Sequence, residues 1–285
     1  MPDPLAIIVG GGAVPVQVAA AARAMGRPVF ALLLDGFANA RDWQGTPSLT
    51  IRLGAAGQGL DWLKRTGAKD LVLAGDVKRP SLLMLRPDAG GAALIARIGM
   101  KAFGGDDSLL SAIRNLLKEE GFNPMGPKRF LSEAQVGPGL YTKAAPDALA
   151  LSDIARGVEV VRSLGMLDVG QGAVIQQGLV LGVEAIEGTD ALLARAGQVR
   201  REGPGGVLVK LVKPGQDREL DLPTLGPRTV AGAVAAGLRG IAFEAGGALL
   251  VDPHDMVRQA DEAGLFLLSI RPEDHIPGRN PGAAA

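Results

Sequence analysis

The stretch Leu5-Ala-Ile-Ile-Val-Gly-Gly-Gly-Ala-Val-Pro-Val-Gln-Val-Ala-Ala-Ala-Ala22 decides the fold. Its first five residues are apolar and have the length of a short buried strand. Three glycines interrupt the run, and Pro15 then falls near the first turn of an alanine-rich segment that closes at Gly26. Proline early and glycine just past the end are the punctuation of a helix. Because these 18 residues carry no charge, a signal or membrane segment has to be weighed. Asp3 stands where a basic leader would begin, and the glycines and Pro15 break the run where a strand would turn into a helix. The expectation is therefore a strand, loop and helix of a cytoplasmic protein.

Outward from this unit the pattern repeats. Pro28 to Leu34 reads as a second strand, Gly57 to Thr66 as a helix and Leu71 to Ala74 as another buried strand. Leu109, Leu110, Ile113, Leu116 and Leu117 then form a helical stripe that closes at Gly121. Alternating strands and helices argue for a parallel sheet with helices on its faces. Phe122 to Asp147 is rich in proline and glycine and reads as a linker. Beyond it a helix runs from Ser152 to about Leu164, and Gly172 to Val183 alternates as a hairpin turning at Gln176 to Gly178. Val207 to Val212 is a strand. Thr229 to Ala236, Gly240 to Phe243, Leu249 to Val251, Pro253 to Ala263 and Leu265 to Ile270 continue as helix, strand, strand, helix and strand. The reading is an α/β protein with an N-terminal Rossmann-like parallel sheet over residues 1–131, a linker over 132–151, a mixed α/β domain over 152–272 and a loose tail over 273–285, with a cleft between the domains.

Composition narrows the chemistry. The 30 basic and 30 acidic side chains cancel, so no global field draws in nucleic acid. With no cysteine there are no disulfides, thiolate nucleophiles or Cys-held zinc. Both histidines, His254 and His275, lie near the end of the chain, which argues against a Ser-His-Asp triad or a His-rich metal site. One tyrosine and two tryptophans supply little surface for stacking bases. Any chemistry falls to carboxylates, hydroxyls, Lys, Arg and backbone amides.

Such groups cluster at a few places. Gly11 and Gly12, between a strand and a helix, let backbone approach a phosphate, although a plain tight turn explains them as well. Asp76, in Gly75-Asp-Val-Lys-Arg-Pro80, comes after a strand where ligands collect in open α/β sheets; a solvated loop is the plainer alternative. Asp106 and Asp107 are neighbouring carboxylates at a helix start; helix capping explains them well, and a metal role is the lesser alternative. Glu184, Glu187, Thr189 and Asp190 crowd between a strand and a helix. Thr189 or Asp190 can cap that helix, which leaves the glutamates for sugar hydroxyls, an amide or a metal, and Thr189 suits a phosphate. Lys210 and Lys213 are phosphate candidates. Three-residue spacing puts them on opposite faces of a strand, so both reach one ligand only if the strand ends or bends at Pro214. Asp221, between Leu220 and Leu222 and two residues before Pro223, is a carboxylate in apolar company. With one partner it suffices for magnesium, which accepts carboxylate and phosphate oxygens.

Taken together, Gly10-Gly-Gly12 with Pro15, Gly75-Asp-Val77 through Arg79-Pro80, Gly105-Asp-Asp107 with Leu109-Leu110, Glu184-Ala-Ile-Glu-Gly-Thr-Asp190, Lys213-Pro-Gly-Gln-Asp217 and Asp221-Leu-Pro-Thr-Leu-Gly226 resemble the UDP-2,3-diacylglucosamine pyrophosphatases of lipid A biosynthesis. The resemblance spans about residues 5–270 and is to the two-domain, metal-dependent type; the motifs of the calcineurin-like type are absent. It implies cleavage of UDP-2,3-diacylglucosamine to UMP and 2,3-diacylglucosamine 1-phosphate by water attack at the β-phosphorus, assisted by Mg2+ or Mn2+. The family's essential aspartate falls on Asp221, expected to be catalytic and a metal ligand. Gly11, Gly12, Asp76, Glu184, Thr189, Lys210 and Lys213 are the expected substrate contacts. The acylated substrate implies an apolar cleft wall and at most peripheral contact with the cytoplasmic face of the inner membrane, and a homodimer is compatible with the chain. Two alternatives stand beside this reading. One is an NAD(P)-dependent oxidoreductase using the glycine run with Asp35; the other is a non-catalytic binder of a nucleotide sugar or lipid.

Overall fold

The computed structural model describes residues 2–77, 85–99, 106–131, 137–216, 218 and 222–275, the side chains of residues 106–108 excepted. The chain divides into two compact α/β units; among the described residues the first ends at Leu131 and the second begins at Gly137.

The first unit runs β1 (Leu5–Val9), α1 (Val14–Ala24), β2 (Val29–Leu34), β3 (Ser48–Ile51), α2 (Ala56–Arg65), β4 (Asp70–Ala74), α3 (Ala89–Ile98), α4 (Asp106–Glu119) and β5 (Asn123–Met125). Its five strands are all parallel, in the order β3-β2-β1-β4-β5. The apolar run of the opening stretch becomes the central strand, with Leu5, Ala6 and Ile7 fully buried. A strand enclosed on both faces needs no polar alternation. The short strand β3, the helix α3 and the strand β5 were not expected. β5 lies inside the stretch read as linker; it carries Pro124 and pairs only with β4, at the sheet's edge, where a residue without an N–H is tolerated.

At the amino end of this sheet Arg27 donates to Asp70 at 2.6 Å and to the Asp3 carbonyl at 2.8 Å, while Asn123 donates to Asp70 at 2.9 Å. One carboxylate so ties β4 to its neighbour β5 and to the turn before β2. Burial alone would raise the Asp70 pKa, but the hydrogen bonds from Asn123 and Arg27 and the Arg27 charge outweigh it and hold the carboxyl below its ordinary 3.8.

The second unit runs β6 (Gly139–Leu140), α5 (Ala148–Met166), β7 (Gly172–Gln176), β8 (Leu179–Val183), α6 (Thr189–Gln198), β9 (Val207–Lys210), β10 (Thr224–Leu225), α7 (Pro227–Ala235), β11 (Gly240–Glu244), β12 (Leu249–Leu250), α8 (Pro253–Glu262) and β13 (Phe266–Ile270). Its main sheet has the order β6-β13-β11-β9-β7-β8; β9, β11 and β13 are parallel, and the other pairings are antiparallel. β10 and β12 form a small parallel pair apart from it. The first helix begins at Ala148, ahead of the expected Ser152, because Asp147 caps it by accepting the Ala150 N–H at 2.8 Å. On one face of the sheet Ile154, Val158 and Val161 of α5 pack with Val207, Val209 and Leu211. The helix lies so close that a β-carbon on Gly157 would fall 2.4 Å from a Val209 methyl.

The β7–β8 hairpin turns at Gln177 and Gly178, both at positive φ, as a two-residue turn matched to strand twist requires. Asp153 of α5, 1% exposed, accepts both turn N–H groups, at 3.2 Å from Gln177 and 2.7 Å from Gly178. The tail falls mostly outside the described residues; Pro272–His275 forms a short 3-10 turn. Among the described residues no helix is long and apolar enough to cross a membrane.

Asp153→Ala should destabilise the second unit by about 2 kcal/mol, the scale of charged hydrogen bonds lost from partly buried partners, measured by urea unfolding monitored by circular dichroism. Both tryptophans, Trp43 and Trp62, lie in the first unit, so their fluorescence reports on it alone. Because the folded-state pKa of Asp70 is depressed, its stabilisation is present above 3.8 and is lost as pH falls through the lower folded value. Asp70→Asn should therefore lose less tryptophan-reported stability than the wild type between roughly pH 4 and 2.

Candidate active site

In the first unit the chain leaves β1 towards β2 on one side and returns at β4 on the other, which opens a crevice at the carboxyl ends of the strands. Gly10 to Gly12 and Gly75 to Asp76 meet there. Gly11 and Asp76 exchange backbone hydrogen bonds at 2.8 and 2.9 Å. A β-carbon on Gly75 would lie 2.4 Å from the Gly11 carbonyl oxygen, and one on Gly10 would lie 2.7 Å from the Gly75 carbonyl oxygen, so neither strand end can carry a side chain at the crossing. Gly12, at φ +84°, points the chain into α1, whose N-terminus has no side-chain cap. The free amides of that first turn suit an anion. Asp76 is exposed, with its carboxylate next to Gly12. Gly10, Gly12, Gln17, Phe37, Asn39 and Trp43 line a hollow of about 460 Å³ beside the loop.

The second unit holds a buried polar cluster. Lys210 ends β9 at 4% exposure, and its Nζ donates to Thr189 Oγ1 and, at 3.3 Å, to Glu184 Oε1. Thr189 Oγ1 in turn donates to Glu184 Oε1 at 2.8 Å. Glu184 is seated by two glycines: a β-carbon on Gly172 would lie 2.5 Å from its Oε2, and one on Gly170 would lie 1.8 Å from its carbonyl oxygen. Its Oε2 is buried and has no hydrogen-bond partner among the described residues. The helix beginning at Thr189 has Gly188 as its N-cap and no side-chain cap, contrary to the expectation that Thr189 or Asp190 would serve. Thr189 is engaged with Glu184 and Lys210, and Asp190 pairs with Arg228. Glu187 is held by Arg195 at 2.7 Å. The arrangement thus sets an ammonium, a hydroxyl and open helix amides beside an unsatisfied carboxylate oxygen.

Lys213 lies beyond the end of the strand and reaches Asp168 at 2.7 Å. The two lysines hold separate carboxylates, although the strand ends at Lys210 and its face alternation does not extend to Lys213.

The LpxI N-terminal domain model matches residues 4–134 and the LpxI C-terminal domain model matches residues 137–268. The chain belongs to the LpxI family. It is 38% identical over 276 residues to UDP-2,3-diacylglucosamine pyrophosphatase LpxI of Caulobacter vibrioides, an alignment covering 95% of this chain and 98% of that protein. Among solved structures the chain is similar to CobK precorrin-6A reductase, at 13% identity and a TM-score of 0.35 over 98% of this chain and 91% of that one. It is also similar to the biotin carboxylase subunit of pyruvate carboxylase, at 11% identity and a TM-score of 0.26 over 60% and 34%. At such scores neither likeness bears on this LpxI chain.

Asp221, Asp217, Lys78, Arg79 and Pro80 lie outside the described residues, as do the side chains of Asp106 and Asp107. Among the described residues no three acidic or histidine side chains gather around a point that could hold a metal. Glu184, Asp168 and Glu244 each face a cation instead: Lys210, Lys213 and Arg218. The described donors do not fit a magnesium cage, and the metal expectation rests on Asp221. Sequence reading passed over Asp168 and Glu244. The glycines near Asp168, Gly170 and Gly172, pack against Glu184 and gave no signal for Asp168 itself. Glu244, at the end of a plain apolar strand, carried none.

Lys210→Met should destabilise the second unit by about 3–5 kcal/mol, because it leaves Glu184 buried without its cation. Lys210→Met combined with Glu184→Leu should recover most of that loss, because the pair stabilises little relative to apolar residues of similar size. Urea unfolding of both variants checks this.

Proposed function

We propose that this protein hydrolyses the pyrophosphate bond of UDP-2,3-diacylglucosamine, releasing UMP and 2,3-diacylglucosamine 1-phosphate for lipid A biosynthesis. The observation that carries the reading is the identity with the Caulobacter enzyme across nearly the full length of both chains, over both LpxI domain models. Water forms the new bond to the β-phosphorus, and the bond from that phosphorus to the bridging oxygen breaks. UMP departs with the bridging oxygen, the water oxygen stays on the 2,3-diacylglucosamine 1-phosphate, and two protons are released when both phosphate monoesters are fully ionised.

The buried cluster supports a phosphate-binding role in this reaction. Lys210 has three N–H donors, two of which go to Thr189 and Glu184, so one is left for a phosphate oxygen at the open N-terminus of α6. Glu184 holds Lys210 and Thr189 in place, and its free Oε2 suits a substrate hydroxyl or amide. Gly12 presents its backbone amide to a second anionic or ribose group, whereas the N–H of Gly11 is already donated to the Asp76 carbonyl, so Gly11 contributes by keeping the loop bare. Asp76 beside them would repel a phosphate, so it suits a sugar hydroxyl. Lys213 is a weaker phosphate contact, as Asp168 already engages it. Asp221 is assigned as the catalytic carboxylate and as a ligand of Mg2+ or Mn2+; the metal, when bound, would neutralise the diphosphate. The substrate's two acyl chains hold it in a bilayer, so peripheral contact with the cytoplasmic face of the inner membrane belongs to this reading.

The test is UMP release from UDP-2,3-diacylglucosamine by the purified full chain. Wild-type protein should release UMP, lose the activity in EDTA and regain it with Mg2+ or Mn2+. Folded Asp221→Ala should fall by about 100-fold or more in kcat while still binding substrate. Binding without any UMP release from the wild type would favour the non-catalytic binder. Activity undiminished by EDTA would remove the metal, and near-normal turnover by Asp221→Ala would remove that residue's assignment.

A further inference from the structure

Large apolar side chains stand in solvent at two adjoining turns of the second unit. Where α5 ends, Met166 is 71%, Leu167 74% and Val169 42% exposed; in the turn between β8 and α6, Ile186 is 86% exposed. Singly exposed apolar residues are ordinary, but four together on neighbouring turns form a patch. The turns meet through their backbones: a β-carbon on Gly170 would lie 1.8 Å from the Glu184 carbonyl oxygen. The patch also borders the buried polar cluster. Glu184 and Thr189 flank the Ile186 turn in sequence, and Gly165, just before Met166, packs so that its β-carbon would lie 3.5 Å from Lys213 Cα.

The polar groups of both turns are engaged. At the end of α5 the Leu167 N–H donates to the Leu164 carbonyl at 3.1 Å, the Asp168 N–H to the Gly165 carbonyl at 3.1 Å and the Val169 N–H to the Leu164 carbonyl at 3.0 Å. The last two are the paired bonds that close a helix around a residue at positive φ, here Asp168 at φ +53°. Asp168 is the one charged residue from 166 to 169, and Lys213 holds its carboxylate at 2.7 Å. In the other turn the Gly188 N–H donates to the Ala185 carbonyl at 3.2 Å across Ile186 and Glu187, and Arg195 holds Glu187 at 2.7 Å. Entry into an apolar layer is favourable for side chains such as Ile186 and Leu167 and costly for unpaired amides and charges. Pairing of the amides of residues 167–169 and of both carboxylates removes much of that cost.

We infer that Met166, Leu167, Val169 and Ile186 form the surface by which this protein docks on a phospholipid bilayer. The occupant follows from the substrate. Two acyl chains keep UDP-2,3-diacylglucosamine in a bilayer, so a protein that takes it works at a lipid surface, and these turns stand beside the cluster assigned to its polar part. Four side chains on two turns are too few for a stable protein interface, which takes about 20–30 residues a side, but suffice for shallow, reversible insertion at the boundary of headgroups and acyl chains. The inference rests on the pyrophosphatase reading for the choice of a bilayer, and on exposure and backbone geometry for the surface itself.

The chain has no cysteine, so a single introduced one carries the only thiol label. Full-length Ile186→Cys and Leu167→Cys, each bearing an environment-sensitive nitrobenzoxadiazole dye, should brighten about twofold or more on vesicles of phosphatidylethanolamine and phosphatidylglycerol. Leu179→Cys, exposed at the hairpin end of β8, should not respond. Leu167→Ser combined with Ile186→Ser should weaken vesicle co-sedimentation by about tenfold or more, and wild-type binding should persist in about 0.5 M NaCl because the contact is apolar. UMP release from substrate in vesicles should fall with binding, whereas release from substrate in detergent micelles should stay within about twofold of wild type. The proposal is overturned if neither label responds, or if the doubly substituted chain binds vesicles as wild type does and light scattering shows that it separates a dimer instead. An equal loss in micelles and vesicles also overturns it, because the turns would then touch the substrate's own acyl chains. The labelled single variants decide the matter where the double variant unfolds. If wild-type protein releases no UMP from either preparation, the pyrophosphatase reading fails, and the label and sedimentation results still decide whether the turns dock on lipid.

Discussion

The constraint that shapes the second unit is the cost of ending buried strands with charged side chains. β9 is Val-Leu-Val-Lys, and all four residues are buried. Taking an ammonium out of water costs several kcal/mol unless opposite charge and hydrogen bonds replace the lost solvent. Everything around Lys210 answers that cost: Glu184 just past β8, Thr189 at the start of α6, and the glycines Gly170 and Gly172 that leave room for the Glu184 carboxylate. The end of β11 has the same problem with the opposite sign. Glu244 meets it by accepting from Val212 and Arg218. Polar groups thus collect at the carboxyl ends of β9 and β11, where a parallel sheet leaves room for ligands.

The first unit reaches a similar end by removing side chains. At the crossing of the β1 and β4 ends there is space only for backbone, and Gly10 and Gly75 supply it. Backbone amides and the open first turn of α1 therefore carry whatever anion affinity the loop has. Its binding character comes from geometry and the helix dipole, whereas that of the second unit comes from formal charge.

The parts of this architecture that were legible in sequence are those whose physics is local. The strand, triple glycine and proline-led helix of residues 5–26 could be read directly, because glycine and proline mark backbone breaks wherever they occur. The β7–β8 hairpin could be read because its turn needs positive φ at Gln177 and Gly178. The short strands β3, β5 and β6 were missed because each depends on a neighbour distant in sequence; Pro124 marked β5 as loop, yet an edge position tolerates it. Within the site, the crowding of Glu184 and Thr189 was visible, but their mutual hydrogen bond depends on how the chain turns between β8 and α6, and their links to Lys210 span 21 to 26 residues and depend on sheet order. The assigned capping role failed for the same reason: Thr189 is held by a tertiary partner stronger than its own helix amides. Asp168 and Glu244 lie in sequence surroundings that describe a helix end and a buried strand, and their roles appear only once β9 is placed between them.

The burial of the ion pairs separates structural charge from charge kept for another purpose. Arg258 sits between Asp255 and Glu262 on α8, and Arg97 reaches Glu119 and Glu120. These contacts are largely exposed, and such pairs contribute little to stability. Lys210 and Glu184 have side-chain exposures of 4% and 7%. A buried pair of this sort stabilises a fold no better than apolar residues of the same volume would, and often less well. Glu184 moreover leaves one oxygen with no described partner, a further cost that an apolar residue would avoid. Stability alone therefore gives no reason to place an ammonium, a carboxylate and a hydroxyl at the end of an otherwise apolar strand. A ligand carrying phosphate and hydroxyl groups does: it would complete the third donor of Lys210 and the open oxygen of Glu184, and its binding energy would offset the desolvation cost of these buried groups.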